Sequence, residues 1–194
     1  MDKITIINQV IQERRSTYPA QFSEIPVDNE IISQMLSNAN TAPNHGKTQP
    51  WRFVVFAGEG LKKLAHFQSE LYKKNTAEDK FNQNTYEKLQ ENPLKASHII
   101  AIGMKRQETA KIPEIEEIEA VACAVQNMYL TAQAYNIGAY WGSGGVTYAE
   151  NAKDFFGLGK DDKLLGFFYV GNIAKESPIS IKKPMEDVVK WITE

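Results

Sequence analysis

This chain of 194 residues contains a single cysteine, Cys123. That excludes an intramolecular disulfide and a cysteine-built metal cluster. Its three histidines, His45, His66 and His98, stand far apart without neighbouring ligands, so no zinc site is expected. His66, within a helical stretch, and His98, opening an apolar run, read as structural. No apolar run approaches the roughly 20 residues of a membrane-crossing helix, so no membrane association is expected. The segment Met1-Asp2-Lys3-Ile4 lacks the basic flank and apolar stretch of a secretory leader, and the expected compartment is the cytoplasm. An excess of one charge is missing too. With 24% charged residues and a net charge of −2, neither a polyanion-binding surface nor a disordered tail is expected, and no nucleic-acid partner. Hydrophobic residues make up 42%, which at this length supports one substantial core and a single domain over residues 1–194.

Ile4, Ile7, Val10 and Ile11 recur at helical spacing and predict an amphipathic helix from Lys3 to about Arg15. Asp28 is a candidate N-cap for a second helix, with Ile31, Ile32, Met35, Leu36 and Ala39 inward and Pro43 beyond its end. Trp51 to Ala57 reads as a strand, and a third helix starts near Gly60. Lys73 to Pro93 is polar and partly helical, either a solvated surface pair or a mobile cover over a site. Ser97 to Met104 is apolar almost throughout, which implies a strand buried on both faces. The longest helix is expected from Pro113 to Tyr135. Its acidic start, Glu114 to Glu119, reads as a solvated first turn near the positive helix end. Its second half is apolar nearly all round, as in a helix central to the fold or to a subunit interface, and Cys123 within it is expected to be buried and inert. Ala139-Tyr140-Trp141 forms a short strand, Thr147 can cap a helix to Phe156, and Leu164 to Val170 is a last core strand.

Three stretches carry candidate chemistry. Ala42-Pro43-Asn44-His45-Gly46-Lys47-Thr48-Gln49-Pro50-Trp51 is a loop dense in turn formers and amides, suited to a flat polar heterocycle. Arg14-Arg15-Ser16, where the first helix ends, offers two guanidinium forks and a hydroxyl for a phosphate, although basic residues also favour a helix C-terminus for its own sake. Gly142-Ser143-Gly144-Gly145 lets backbone approach a planar ligand closely. It is not a dinucleotide fingerprint, because the third glycine position falls on Thr147, and Ser143 is not in a nucleophile elbow.

In this order, over nearly the whole chain, these signals resemble the FMN-dependent nitroreductase family. The resemblance implies an α+β fold, with a central, mainly antiparallel sheet flanked by helices, in an intertwined homodimer whose two FMN sites are built from both subunits. It implies that Arg14, Arg15 and Ser16 hold FMN. Asn44, His45 and Gln49 would face the pyrimidine edge, with Thr41 a turn earlier in the same site. Trp141, Gly142, Ser143 and Gly144 would lie against the ring near N5. Lys182 and Lys183, in a terminal Lys-Lys-Pro-Met-Glu-Asp-Val-Val segment, would complete the phosphate's positive surroundings. Trp51 is expected in the core, with Lys47 and Thr48 on the rim. The activity implied is an oxidoreductase passing hydride from NADH or NADPH through flavin N5 to nitroaromatics, quinones or similar small electrophiles, by a ping-pong mechanism. The cofactor then carries the chemistry, so no protein side chain is expected to act as a catalytic residue. Another flavin enzyme on this scaffold, such as a reductase of aldehydes or enones, and a non-enzymatic flavin-binding protein remain the alternatives.

Overall fold

Strand β2 (His98–Met104) has all seven residues buried, because helices cover both faces of the sheet around it. In the computed structural model, which describes residues 2–178 and 180–193, it pairs with β1 (Trp51–Ala57) on one side and β4 (Lys163–Asn172) on the other. Strand β3 (Ile137–Gly142) lies outside β4, so the order is β1-β2-β4-β3 and every neighbouring pair is antiparallel. The α+β fold with a mainly antiparallel sheet is therefore as expected.

The period of two decides which helix each strand residue meets. Ile100, Ile102 and Met104 join the core beneath α2 (Asn29–Ala39) and α5 (Glu114–Ala134). Ile99 and Ala101 join the core beneath α3 (Glu59–Asn75). Asp28 caps α2 by accepting the Glu30 N–H at 2.9 Å. Trp51 is buried and donates its indole N–H to Asn40 at 2.9 Å, a core residue as expected.

One glycine shapes the site end of the sheet. Gly166 in β4 has φ near 117°, and a Cβ there would lie 2.4 Å from the Gly142 carbonyl oxygen. Only a glycine lets β4 pass this close to the end of β3.

Several expectations are corrected. Helix α1 (Lys3–Glu13) forms, but Ile4, Ile7 and Ile11 of its apolar stripe are exposed, Ile4 by 73%. Cys123 is exposed, because it lies on a flank of α5 that no element covers among the described residues. Glu117 in the acidic first turns of α5 is buried and paired with Arg106 rather than solvated. Thr147 caps no α-helix: its hydroxyl donates to the Gly144 carbonyl at 2.9 Å, and a 3-10 helix runs over Glu150–Phe156. His98 is structural, as expected. The Ser97 hydroxyl accepts from the Val27 N–H at 2.7 Å and contacts His98 Nδ1 at 2.9 Å, while His98 Nε2 meets Asn29 Oδ1 at 2.9 Å. Among the described residues no helix is long and apolar enough to cross a membrane.

Candidate functional site

Helix α1 ends at Glu13, and the chain then runs extended beside β3, where the Thr17 N–H donates to the Ala139 carbonyl at 2.9 Å. This carries Arg14 and Ser16 to the end of β3. The Arg14 guanidinium carbon stands 5.0 Å from the centre of the Tyr129 ring, and no acidic side chain pairs with it among the described residues. The Tyr129 hydroxyl accepts the Trp141 backbone N–H at 2.6 Å, and its ring packs edge-on against Phe168. Burial pushes the Tyr129 pKa up, so the hydroxyl stays protonated. Tyr129 thus links the Arg14 side chain to the first residue of the predicted turn. Arg15 donates instead to backbone, at 2.5 Å to the Gln12 carbonyl and 2.9 Å to that of Arg14. The Ser16 carbonyl accepts from the Ser177 hydroxyl at 2.8 Å, which pins the start of the terminal tail.

Beyond Trp141, whose indole N–H donates to the Leu165 carbonyl at 3.0 Å, the turn opens outward. A Cβ on Gly142 would lie 2.8 Å from the Tyr140 ring, so the bulk a larger residue would supply here is already supplied by Tyr140. A Cβ on Gly144 would meet nothing within 4 Å, and Ser143 and Gly144 are exposed. Beside this turn lies a cavity of about 420 Å³, walled by Tyr140, Phe167 and Tyr169 from the sheet, Tyr18 from the extended segment, Gln68 from α3, and Leu89 from α4 (Gln83–Glu91). Burial, with Tyr140 adding to it, pushes the Tyr169 hydroxyl up to about 12.

The polar stretch Lys73 to Pro93 therefore contributes a wall of the cavity through α4. It is fastened to α3: the Tyr72 hydroxyl accepts the Asn82 N–H at 3.0 Å, and Tyr86 donates to Glu70 at 2.5 Å.

The loop after α2 lies elsewhere. His45 Nδ1 meets the Glu116 carboxylate at 2.5 Å, in the first turn of α5, and Gly46 faces Ile112. Tyr129 lies further along the same helix, about 20 Å away at ~1.5 Å per residue. Asn44 is spent within the loop, accepting the Gln49 N–H at 3.0 Å and donating to the Ala42 carbonyl at 3.3 Å. Lys47 (φ 54°) and Gln49 (φ 45°) are held in the left-handed region, a strain of order 1–3 kcal/mol each. Thr41 is exposed and donates to the Asn38 carbonyl at 2.7 Å, away from the cavity. Lys182 and Lys183 are exposed in the tail.

Within one chain, then, Arg14, Ser16 and Trp141 to Gly144 come together, while Thr41, Asn44, His45, Gln49, Lys182 and Lys183 do not join them. Sequence reasoning missed Tyr129, Tyr18, Tyr140 and Gln68. Strand alternation offered a signal for Tyr140, which must face away from Trp141. A hydroxyl in the apolar half of α5 offered one for Tyr129.

Comparison with known proteins adds the following. The model of the Nitroreductase family matches residues 11–172. YdjA of Escherichia coli K12, an NAD(P)H nitroreductase by name, is 29% identical over 176 residues, covering 91% of this chain and 93% of YdjA. The crystal structure of a nitroreductase-like family protein from Bacillus cereus superimposes with a TM-score of 0.85 at 26% identity, covering 99% of this chain and 98% of that one. The FMN-dependent nitroreductase NfnB from Mycobacterium smegmatis, solved in complex with NADPH, shares the fold with a TM-score of 0.77 at 16% identity, over 99% of this chain and 100% of that one.

Proposed function

This chain belongs to the nitroreductase family, and on that premise we propose that it is an FMN-dependent oxidoreductase drawing on NADH or NADPH to reduce nitroaromatics, quinones or similar small electrophiles. The observation that carries the reading is the meeting of Arg14, Ser16 and Trp141 on Tyr129, at the head of an open glycine turn whose Gly142, Gly144 and Gly145 line an aromatic-walled cavity. The fit to FMN is chemical. Arg14, with no carboxylate partner among the described residues, suits a phosphate, and Ser16 suits the ribityl chain. Exposed Gly144 leaves space for a planar ring, and the tyrosines present flat apolar walls.

When bound, FMN would supply the redox chemistry, accepting and returning a hydride equivalent, while Arg14, Ser16 and the glycine turn would hold it. The protein positions, shields and admits. Tyr129 holds Arg14 by its ring face and Trp141 by its hydroxyl, fixing phosphate clamp and turn relative to one another. The turn from Trp141 to Gly145 would cover one face of a bound ring, so donor and acceptor would use the other face in succession, which predicts ping-pong kinetics.

The site is completed by a second copy of the chain. The loop with Asn44, His45 and Gln49 stands too far along α5 to join its own Arg14, so in this reading the partner's equivalent loop supplies those groups. The uncovered apolar side chains support this: Ile4, Ile7 and Ile11 on α1, and Trp191 (85% exposed) and Ile192 in the tail. Lys182 and Lys183 belong to that same tail and would approach a flavin only once it is docked.

Anaerobic spectroscopy tests the reading. Purified protein should be yellow, NADH or NADPH alone should bleach it, and a quinone or nitroaromatic added afterwards should restore the colour. Protein that neither carries nor takes up FMN contradicts it.

A further inference from the structure

Gln68 is an unexplained group. It sits on α3, is 2% exposed, and its Nε2 has no hydrogen-bond partner. A buried donor without a partner forfeits the hydrogen bonds it would make to water, so natural proteins keep few of them and each calls for an account. Its position gives one. The side chain lines the cavity of about 420 Å³ whose rim is the glycine turn, alongside Phe167, Tyr140 and Tyr169. A glutamine amide carries two donors and an acceptor in one plane, and rotation about its last bond turns either end to the cavity.

We propose that Gln68 recognises the pyrimidine (imide) edge of the isoalloxazine, its amide N–H donating to a ring carbonyl and its amide oxygen accepting the N3–H. This rests on the function proposed above and specifies which end of the ring enters the cavity. That edge presents carbonyl, N–H and carbonyl in sequence, and a planar amide pairs with two adjacent members of such a row. Nitro and quinone groups offer acceptors alone and would use only half of the amide. The competing candidates for this edge are weaker within this chain. Asn44 uses both ends of its amide inside its own loop, and His45 Nδ1 is held by Glu116. Asn92, which also lines the cavity, has its Oδ1 occupied by the Lys95 ammonium at 3.0 Å.

Two titrations test this without any turnover. Flavin-free protein is titrated with FMN and with 3-methyl-FMN, whose N3 has no hydrogen, following the visible spectrum and flavin fluorescence. The native protein should bind 3-methyl-FMN about tenfold more weakly than FMN, about the worth of one good hydrogen bond. Gln68→Leu should bind FMN about tenfold more weakly and discriminate little between the two flavins. Because the leucine removes a buried orphan, the flavin-free variant should melt no lower than flavin-free native protein, an outcome a purely structural glutamine would not give. The first titration needs no variant, so a misfolded Gln68→Leu cannot shelter the idea. Equal affinity of native protein for both flavins, or undiminished FMN affinity in a folded Gln68→Leu, overturns the assignment to Gln68 and leaves the proposed function standing. Native protein that binds neither flavin overturns both.

Discussion

The Arg14-to-Ser16 segment and the Asn44-to-Gln49 loop look alike in sequence, each a short polar stretch following a helix, yet the fold treats them differently. The first is drawn against β3 by the Thr17 hydrogen bond and lies beside Tyr129 at the head of the glycine turn, with Arg14 unpaired among the described residues. The second is folded onto the opposite end of α5, with its amides spent on itself and two non-glycine residues at positive φ. A ligand that engages both segments must therefore bridge two chains. The strain in the loop fits this view: backbone held in sparsely populated conformations persists where the surroundings over-determine it, and such places cluster at ligand clamps.

The largest expected effect is on the first segment. Arg14→Ala should cost roughly 1.5–3 kcal/mol of FMN binding, the range for hydrogen bonds to charged groups, and leave purified protein nearly colourless until FMN is added. Equilibrium dialysis against FMN measures it. Next comes the turn. A Cβ on Gly144 meets nothing within 4 Å, so Gly144→Val should fold normally and lose FMN by obstruction, by roughly 1–3 kcal/mol. Full FMN occupancy and normal bleaching in that variant would show that the turn does not contact the ring.

Tyr129 sharpens the comparison, because its ring and hydroxyl serve different partners. Tyr129→Phe keeps the ring beneath Arg14 and leaves the Trp141 N–H unbonded, so it should shift the flavin spectrum and slow bleaching more than it weakens FMN binding. Tyr129→Leu loses the ring too and should weaken FMN by a further ~0.5–1 kcal/mol. Identical behaviour of the two variants would separate Arg14 from Tyr129.

The smallest effect lies outside both segments. Burial holds the His98 pKa below its ordinary value of 6.5, so the folded protein keeps the ring neutral. Below pH 6.5 the unfolded chain takes up a proton that the folded chain resists until its lowered pKa is reached. Stability present above 6.5 is therefore lost as pH falls through that window. His98→Gln should flatten this part of the melting-temperature profile, and an unchanged profile would mean that His98 is not its source.

Much of the fold was legible because it rests on local pattern. The apolar run ending at Met104 specified a strand buried on both faces, and Asp28 marked its helix start one residue ahead of Asn29. What was not legible depends on contacts between distant parts. Glu117 is buried because Arg106, on the segment after β2, reaches it, and no spacing within α5 encodes that. Cys123 and the isoleucines of α1 have apolar neighbours in sequence, but whether such a face is covered depends on what packs there, and one chain leaves them bare. Of the candidate site, Arg14, Ser16 and the glycine turn could be singled out by residue type. Gln68 could not, since it matters through what the fold places beside it, and Tyr129 offered only its hydroxyl in the apolar half of α5.

The central claim, one site from two chains, is tested most directly by subunit mixing. Arg14→Ala and Gln49→Ala proteins, each expected to be depleted in FMN as a homodimer, are unfolded together, refolded and assayed for bound flavin, with distinct affinity tags verifying mixed dimers. If each site takes Arg14 from one chain and the loop from the other, every mixed dimer holds one intact site. Random pairing then restores about a quarter of the native FMN content. Mixed dimers that form and bind no more FMN than either parent would contradict the two-chain site.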